Sequence, residues 1–286
     1  LQKIKTYYRL TKPGIIYGNS LTTIAGFIFA SAGHISLIRL VSVLIGSSLV
    51  IACGCIINNY IDRDIDKNMA RTKNRALVTG EISGQSALIF AAILGVIGFT
   101  VLALKVNWLT VWIGLTGLID YVVLYGYFKR RSVHGTLVGS IAGSTPIIAG
   151  YCAVTGKLDT AAVILFIIMA IWQMPHFFAI ATYRVKDYKK AKLPVWTVKK
   201  GIPSAKVQIA SYISLYAALN VYFGLKGYTS VSYLIVMLGA SLWWFYRALK
   251  GFGTTDDNKW GRQVFGSSLM VLMIFSLMLA IDHFLP

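Results

Sequence analysis

The sequence predicts an all-α fold, a polytopic membrane protein with nine transmembrane helices. Three observations carry that expectation. Of the 286 residues, 56% are hydrophobic and only 13% charged, against about 25% charged in a soluble domain, so the chain lacks the residues for a water-facing surface. Its apolar residues come in repeated runs of about 20, each able to cross a hydrocarbon core of about 30 Å. The cations, finally, collect in alternate loops between those runs.

The first run, about 14–33, follows Lys12-Pro13 and has no small-residue cleavage pattern behind it, so it reads as a span and not as a signal peptide. Ser31-Ala32-Gly33 turns the chain into a second span, about 38–60. Beyond a charged loop, Thr79-Gly80 precedes a third at about 84–104, and Lys105-Val106-Asn107 alone divides it from a fourth at about 108–127. The fifth, about 135–154, sets Gly135, Gly139 and Gly143 four residues apart, a face that another helix can approach closely. Thr155-Gly156 leads to the sixth, about 160–181, and the last three fall at about 206–225, 230–248 and 265–284. The whole of 1–286 then forms one integral-membrane domain.

Charge tests this count. Nine spans place 24 of the 28 Lys and Arg on one face, leaving Arg39, Lys105, Lys157 and Lys226 on the other. By the positive-inside rule the rich face is cytoplasmic, with the N-terminus on that side and the C-terminus on the opposite one. A net charge of +18 would suggest nucleic acid in a soluble chain. Here the cations sit in short loops, with no basic stripe on a soluble module, and the partner they imply is the lipid bilayer. Cys53, Cys55 and Cys152 lie in apolar runs. Cys-x-Cys is no zinc spacing, and small packing residues are expected without a disulfide.

One segment breaks the apolar pattern. Asn58–Arg75, "NNYIDRDIDKNMARTKNR", holds three of the ten acids and five cations directly after an uncharged run. Asn58, Asp62 and Asp66 are spaced by four, so a helix continuing past Tyr60 lines them on one face and turns Asp64 away. Two carboxylates and an amide oxygen are hard ligands suited to Mg²⁺, which binds through one or two carboxylates together with substrate phosphates. Arg71, Lys73 and Arg75 offer phosphate-binding charge beside them. Spacing alone leaves a second reading standing, a solvated loop whose charges pair with each other.

The segment "NNYIDRDIDKNMARTKNRALVTG" resembles the aspartate-rich loop of the UbiA-type membrane prenyltransferases, and more narrowly the branch that farnesylates haem. The resemblance extends through "TKPGIIYGN", "KRRSVHGTLVGSIAGSTPIIAGYCAVTG" and "WQMPHFFAIATYRVKDYKKAKLPV", and so through most of the chain. It implies a helix bundle around a central cavity in a bacterial plasma membrane. The implied reaction joins the farnesyl group of farnesyl diphosphate, with water, to a vinyl group of haem b, giving haem O and diphosphate. Haem b is then a substrate and Mg²⁺ the cofactor. By the same resemblance Asn58, Asp62, Asp66 and Asp187 are catalytic, the first three as metal ligands. Arg71, Lys73, Arg75, Lys129, Arg130, Arg184 and Lys186 form the phosphate side. The family's second acidic site is reduced here, with Asp187 followed four residues later by Ala191, and Arg75-Ala76 stands where many relatives have Arg-Pro.

His176, after Pro175 in "WQMPHFF", reads either as an axial ligand to haem iron or as a hydrogen-bonded core histidine. Trp172 and Phe177 are candidates to line a porphyrin cavity, and His134 to touch substrate near the cations. His34 and His283 read as interfacial, Asp256 and Asp257 as surface residues. Asp120, inside the fourth span, is costly in lipid and functional by default, yet the family pattern has no match for it. Other readings are a UbiA-type enzyme acting on a quinone precursor or chlorin, and a transporter. A transporter would carry its ionisable groups at mid-membrane on broken helices in paired halves, whereas these cluster at one face. Whether a haem-modifying enzyme or a terminal oxidase receives the product stays open.

Overall fold

The structure is a computed structural model that describes residues 2–286, and the regular structure among those residues is all helix. A short α1 (Gln2–Leu10) precedes α2 (Pro13–Ser31) and α3 (Leu37–Ile61). The charged loop holds two single-turn helices, α4 (Arg63–Asp66) and α5 (Ala76–Thr79). Then come α6 (Gly84–Lys105) and α7 (Trp108–Ile119), which runs through a π-turn at Asp120–Leu124 into α8 (Tyr125–Arg131). The remainder comprises α9 (Gly135–Thr155), α10 (Thr160–Tyr183), the short α11 (Val185–Lys190), α12 (Trp196–Leu225), α13 (Val231–Leu249) and α14 (Asp257–Ile281).

The expected boundaries hold to a few residues except at two starts, α12 at Trp196 rather than near 206 and the last span at Asp257 rather than near 265. Asp256 accepts a hydrogen bond from the Lys259 amide and so caps the helix before its apolar stretch begins. The thin divide between the third and fourth spans is real. Asn107, fully extended, accepts from the Thr110 amide to start α7, while its amide group holds the Cys152 carbonyl of α9.

Among the described residues, eight helices are long and apolar enough to cross a membrane, not nine. The segment that falls short is α12. Gly201 breaks it with a positive φ of 83°, and the stretch beyond carries Gln208, Asn220, three serines and three tyrosines that lower its hydropathy. It nevertheless runs the length of the bundle. Lys206 near its start pairs with Asp257, and Tyr228 just past its end shares a cleft with Asp282 and His283.

Contacts sort the loops into two ends. At one, Thr6 bonds Glu81, Arg130 bonds Asp64, Lys206 bonds Asp257, and Asn258 bonds the Tyr183 carbonyl. At the other, Asn107 meets Cys152, Ser230 meets Asp282, and Gly33 lies against His283. The surface between them is apolar, with Ile93, Val96, Leu104, Trp112 and Val123 exposed, which is the pattern of a lipid-facing belt. Inside, Trp244, Tyr216 and Phe275 pack edge to face where α12, α13 and α14 meet. All three cysteines are buried and free.

Small residues set the closest helix contacts, and the three spaced glycines of α9 are among them. Gly135 and Gly139 receive Lys129 and the Tyr125 ring of α8, and Gly143 receives the Gln173 side chain of α10. Backbone also meets backbone between α2 and α9, where Gly26 faces the Ile147 carbonyl and Gly150 faces the Thr23 carbonyl. Carbonyls on two such helices cannot swing aside as a side chain can. Gly150→Leu should therefore cost at least ~1–3 kcal/mol by overpacking, read as a lower unfolding midpoint in detergent, while Gly239→Ala, which meets nothing within 4 Å, should leave that midpoint unchanged.

Candidate active site

The charged loop continues the helix before it. The Asp62 amide bonds the Asn58 carbonyl at 2.9 Å and the Asp66 amide bonds the Asp62 carbonyl at 2.9 Å, so the four-residue repeat survives the break between α3 and α4. Asn58, Asp62 and Asp66 are consequently buried on one face, while the Asp64 side chain is 63% exposed. After α4 the loop folds back. Thr72 donates to the Asp66 carbonyl, and this turn returns Arg75 to Asp66 with an Nη1–Oδ2 separation of 2.6 Å.

The fourth crossing supplies the other counter-charges. Lys129 pairs with Asp62 Oδ2, while Arg130 reaches Asp62 Oδ1 at 3.3 Å and Asp64 at 2.8 Å. Hydrogen bonding from the Arg130 guanidinium holds the Asp64 carboxyl below its ordinary range. Tyr121, Tyr125 and Lys129 succeed one another along one face, with the two rings stacked at 5.8 Å and the ammonium 5.1 Å from the second. The π-turn lies at the start of this row, its marker bond running from the Tyr125 amide to the Asp120 carbonyl. Such turns insert one extra residue into a helix and rotate the side chains beyond it.

Sequence reasoning treated Lys12 only as a topological charge, yet it belongs to this cluster. Its Nζ donates to Asn58 Oδ1 at 3.0 Å and lies 3.4 Å from the Tyr121 hydroxyl. Burial pulls its ammonium down to about 8. Asn59, also overlooked, donates to the Leu10 carbonyl and accepts from Arg75, which ties the α1–α2 turn to the loop. The adjacent asparagines were the available signal, since two buried amides at a helix end need partners.

The remaining expected phosphate-side residues are less gathered. Arg184 lies 3.5 Å from Asp187, its i+3 neighbour, and Lys186 is exposed. Arg71 and Lys73 are exposed and form no ion pair among the described residues. The Arg71 charge does reach both Tyr125 and Tyr188, so the two loops face each other. Burial pushes the Tyr188 phenol up and the Arg71 guanidinium pulls it back.

Among the described residues, no contact of the acid–cation cluster involves a histidine. His134 is exposed and packs edge-on to Trp196 at 6.1 Å. His176 stacks on Trp172 at 4.8 Å and touches Phe177 and Phe265. Its Nδ1 lies 2.7 Å from Ser268 Oγ, and that hydroxyl gives its own proton to the Phe265 carbonyl at 2.6 Å. A serine has one proton to give, so Nδ1 must be the donor, which leaves the lone pair on Nε2, an atom with no hydrogen-bond partner among the described residues. That is the tautomer a metal ligand needs. Asp120 accepts from the Ala142 amide at 3.0 Å with its second oxygen unpartnered, Asp256 caps α14, and Asp257 pairs with Lys206.

Among the described residues no three His, Cys, Asp or Glu side chains stand close enough to make a metal site alone. Asp62 and Asp66 still suit Mg²⁺, which needs only one or two carboxylates when phosphates complete its shell. One Asp66 oxygen is free of side-chain partners, but the Asn58 oxygen is held by Lys12.

The UbiA prenyltransferase family model matches residues 19–278. A protoheme IX farnesyltransferase of Klebsiella pneumoniae is 47% identical over 283 residues, covering 99% of this chain and 96% of that protein. In solved structures the fold recurs in a digeranylgeranylglyceryl phosphate synthase, with a TM-score of 0.80, 21% identity and 99% of both chains covered. It recurs again in a UbiA homologue from Archaeoglobus fulgidus bound to GPP and Mg²⁺, with a TM-score of 0.72 and 18% identity over 96% of this chain and 99% of that one.

The two acids beside Arg130 should respond differently to neutralisation. Asp62→Asn strands the Lys129 ammonium, whose side chain is only 10% exposed, and should destabilise by about 3 kcal/mol. Asp64→Asn removes an exposed pair and should change stability by less than about 1 kcal/mol. Thermal unfolding of both variants in detergent checks the difference.

Proposed function

This chain belongs to the UbiA prenyltransferase family, and on that premise we propose how its residues carry out the reaction. It is a prenyltransferase with protohaem IX farnesyltransferase activity, and its product is haem O. The bond from farnesyl C1 to the diphosphate oxygen breaks, with both electrons leaving on diphosphate. C1 then bonds to the terminal carbon of a haem vinyl group, and the cation left beside the macrocycle takes up water and loses a proton.

The observation that carries the assignment of residues is the acid–cation cluster at one mouth of an apolar bundle. A farnesyl diphosphate has a charged head and a hydrocarbon tail, and the site has the same polarity. Charge grows on the diphosphate as the allylic bond opens, and fixed cations in a dry site stabilise that growth. We assign this to Arg75, Lys129 and Arg130, with Arg71, Lys73, Arg184 and Lys186 from the facing loops. Asp187 orients Arg184 and stands in for the family's second acidic site. Asp62 and Asp66 would hold Mg²⁺, which when bound adds positive charge against the leaving diphosphate. Held this way, those carboxylates would release Lys129, Arg130 and Arg75 toward phosphate oxygens. Apolar walls keep water from the allylic cation before it meets the vinyl group.

For haem, His176 is the iron ligand through Nε2, Trp172 stacks beside it, and His134 contacts substrate at the rim. We further read α12 as a ninth crossing, because it spans the same two ends as its neighbours, and 1–286 as one domain. The 24 cations that a nine-span count puts on one face support placing that face in the cytoplasm of a bacterium, with the N-terminus on it and the C-terminus across the membrane.

Membranes containing the chain, given haem b, farnesyl diphosphate and Mg²⁺, should yield haem O by mass spectrometry, and prenylation of a quinone precursor or chlorin instead would sink the assignment. Asp66→Asn should lower turnover roughly a hundredfold with haem affinity retained. Near-normal rates at saturating Mg²⁺ would remove Asp66 as a metal ligand. His176→Ala should alter the absorption spectrum of bound haem, and Ser268→Ala, which frees the tautomer, should alter it in the same direction by less. An unchanged spectrum in His176→Ala removes it from the iron.

A further inference from the structure

Among the described residues, Arg75, Lys129 and Arg130 each pair with a carboxylate, and Lys12 pairs with none. Its ammonium touches only neutral oxygens, those of Asn58 and Tyr121. Charges withdrawn from water are ordinarily paired. The cluster around Lys12 already holds more cations than acids, with Lys12, Arg75, Lys129 and Arg130 set against Asp62, Asp64 and Asp66. What it lacks is an anion.

Asn58 is informative in the same sense. An ammonium can only donate, so the atom facing Lys12 must be the amide oxygen. The Asn58 Nδ2 group is then turned elsewhere, and it is buried with no partner among the described residues. An unpaired buried donor is costly, and a cation cannot satisfy it. An oxyanion can.

The backbone is held so as to keep this arrangement. Lys12 has a φ of 55° and a ψ of 65°, a left-handed conformation for a non-glycine residue that also precedes Pro13. Extended backbone is the ordinary state before proline, and strain of this kind persists where surrounding contacts enforce it. Here Asn59 grips the Leu10 carbonyl and Thr11 bonds back to Tyr8, fixing the turn from both sides.

We propose that Lys12 and Asn58 form a donor pair for an oxygen of the diphosphate, and that Asn58 serves the anion and not the metal. This deepens the prenyltransferase reading and rests on it for the identity of the anion. A haem propionate is also an oxyanion, but the pair adjoins Arg75, Lys129 and the two buried aspartates, where the diphosphate belongs.

Calorimetric binding of inorganic pyrophosphate to the full chain in detergent, first in EDTA and then with Mg²⁺, tests the proposal, with a haem b titration as the second arm. Lys12→Met should weaken Mg²⁺-free pyrophosphate binding by roughly tenfold or more, the worth of one charge-assisted hydrogen bond. Lys12→Arg should recover most of it, and haem affinity in both should stay within about twofold, which also reports a folded protein. Asn58→Asp should weaken pyrophosphate binding with or without Mg²⁺, because it removes the donor and repels the anion. Binding kept or tightened by Mg²⁺ in Asn58→Asp would make Asn58 a metal ligand and overturn the pair. So would a Lys12→Met chain that loses haem affinity while keeping pyrophosphate. The acceptor assignment fails separately: a wild-type chain that makes no haem O, yet whose pyrophosphate binding responds to these variants as expected, retains the donor pair.

Discussion

Two buried carboxylates one helical turn apart, at the end of an apolar helix, cannot stand without counter-charge, and much of this protein's cation-rich end is arranged around that requirement. Asp62 draws Lys129 and Arg130 from the fourth crossing. Asp66 draws Arg75 back through a turn that Thr72 pins. Asn58 and Asn59 draw in the segment joining α1 to α2. Three stretches far apart in sequence thereby meet at one helix end. In such a build Arg75, Lys129 and Arg130 each already have a carboxylate partner, so exchanging it for another anion needs little new desolvation.

The spans were legible because lipid demands a long apolar run wherever the chain crosses, and because topology writes itself into loop charge. Where the expectation slipped, a local interaction outweighed average composition. Asp256 started α14 early, and the tyrosines and polar residues of α12 took that helix out of the clearly apolar set although it runs the full length of the bundle. The helical repeat from Asn58 to Asp66 could be read from spacing. Its counter-ions could be named as types, but a period of four says nothing of which cation 67 residues away will meet Asp62. Lys12 stayed hidden because a lysine before a first span looks like any topological charge, and only the left-handed turn at that residue distinguishes it. Ser268 was hidden for a like reason, as a small polar residue on an apolar helix whose effect is exerted through a histidine.

The surroundings of His176 obey a different physics from the acid–cation cluster. The first is built of rings, with Trp172, Phe177 and Phe265 around His176, and the second of buried paired charge. Where Arg130 divides itself between two carboxylates, the imidazole is fixed by a chain of single donors ending on the Phe265 carbonyl. A reaction between a phosphorylated lipid and a macrocycle needs both, since one partner is recognised by what must leave and the other by what must stay.

The pairing of Lys129 with Asp62 also has a history within each molecule. The chain is made from its N-terminus, and the lysine is 67 residues later than the aspartate. At about 5–20 residues per second that separation takes roughly 3–13 s. During that interval Asp62 has neither Lys129 nor Arg130, whereas Asp66 gains Arg75 only nine residues after it is made. The charged end of the second crossing is therefore completed only once the fourth crossing has been made.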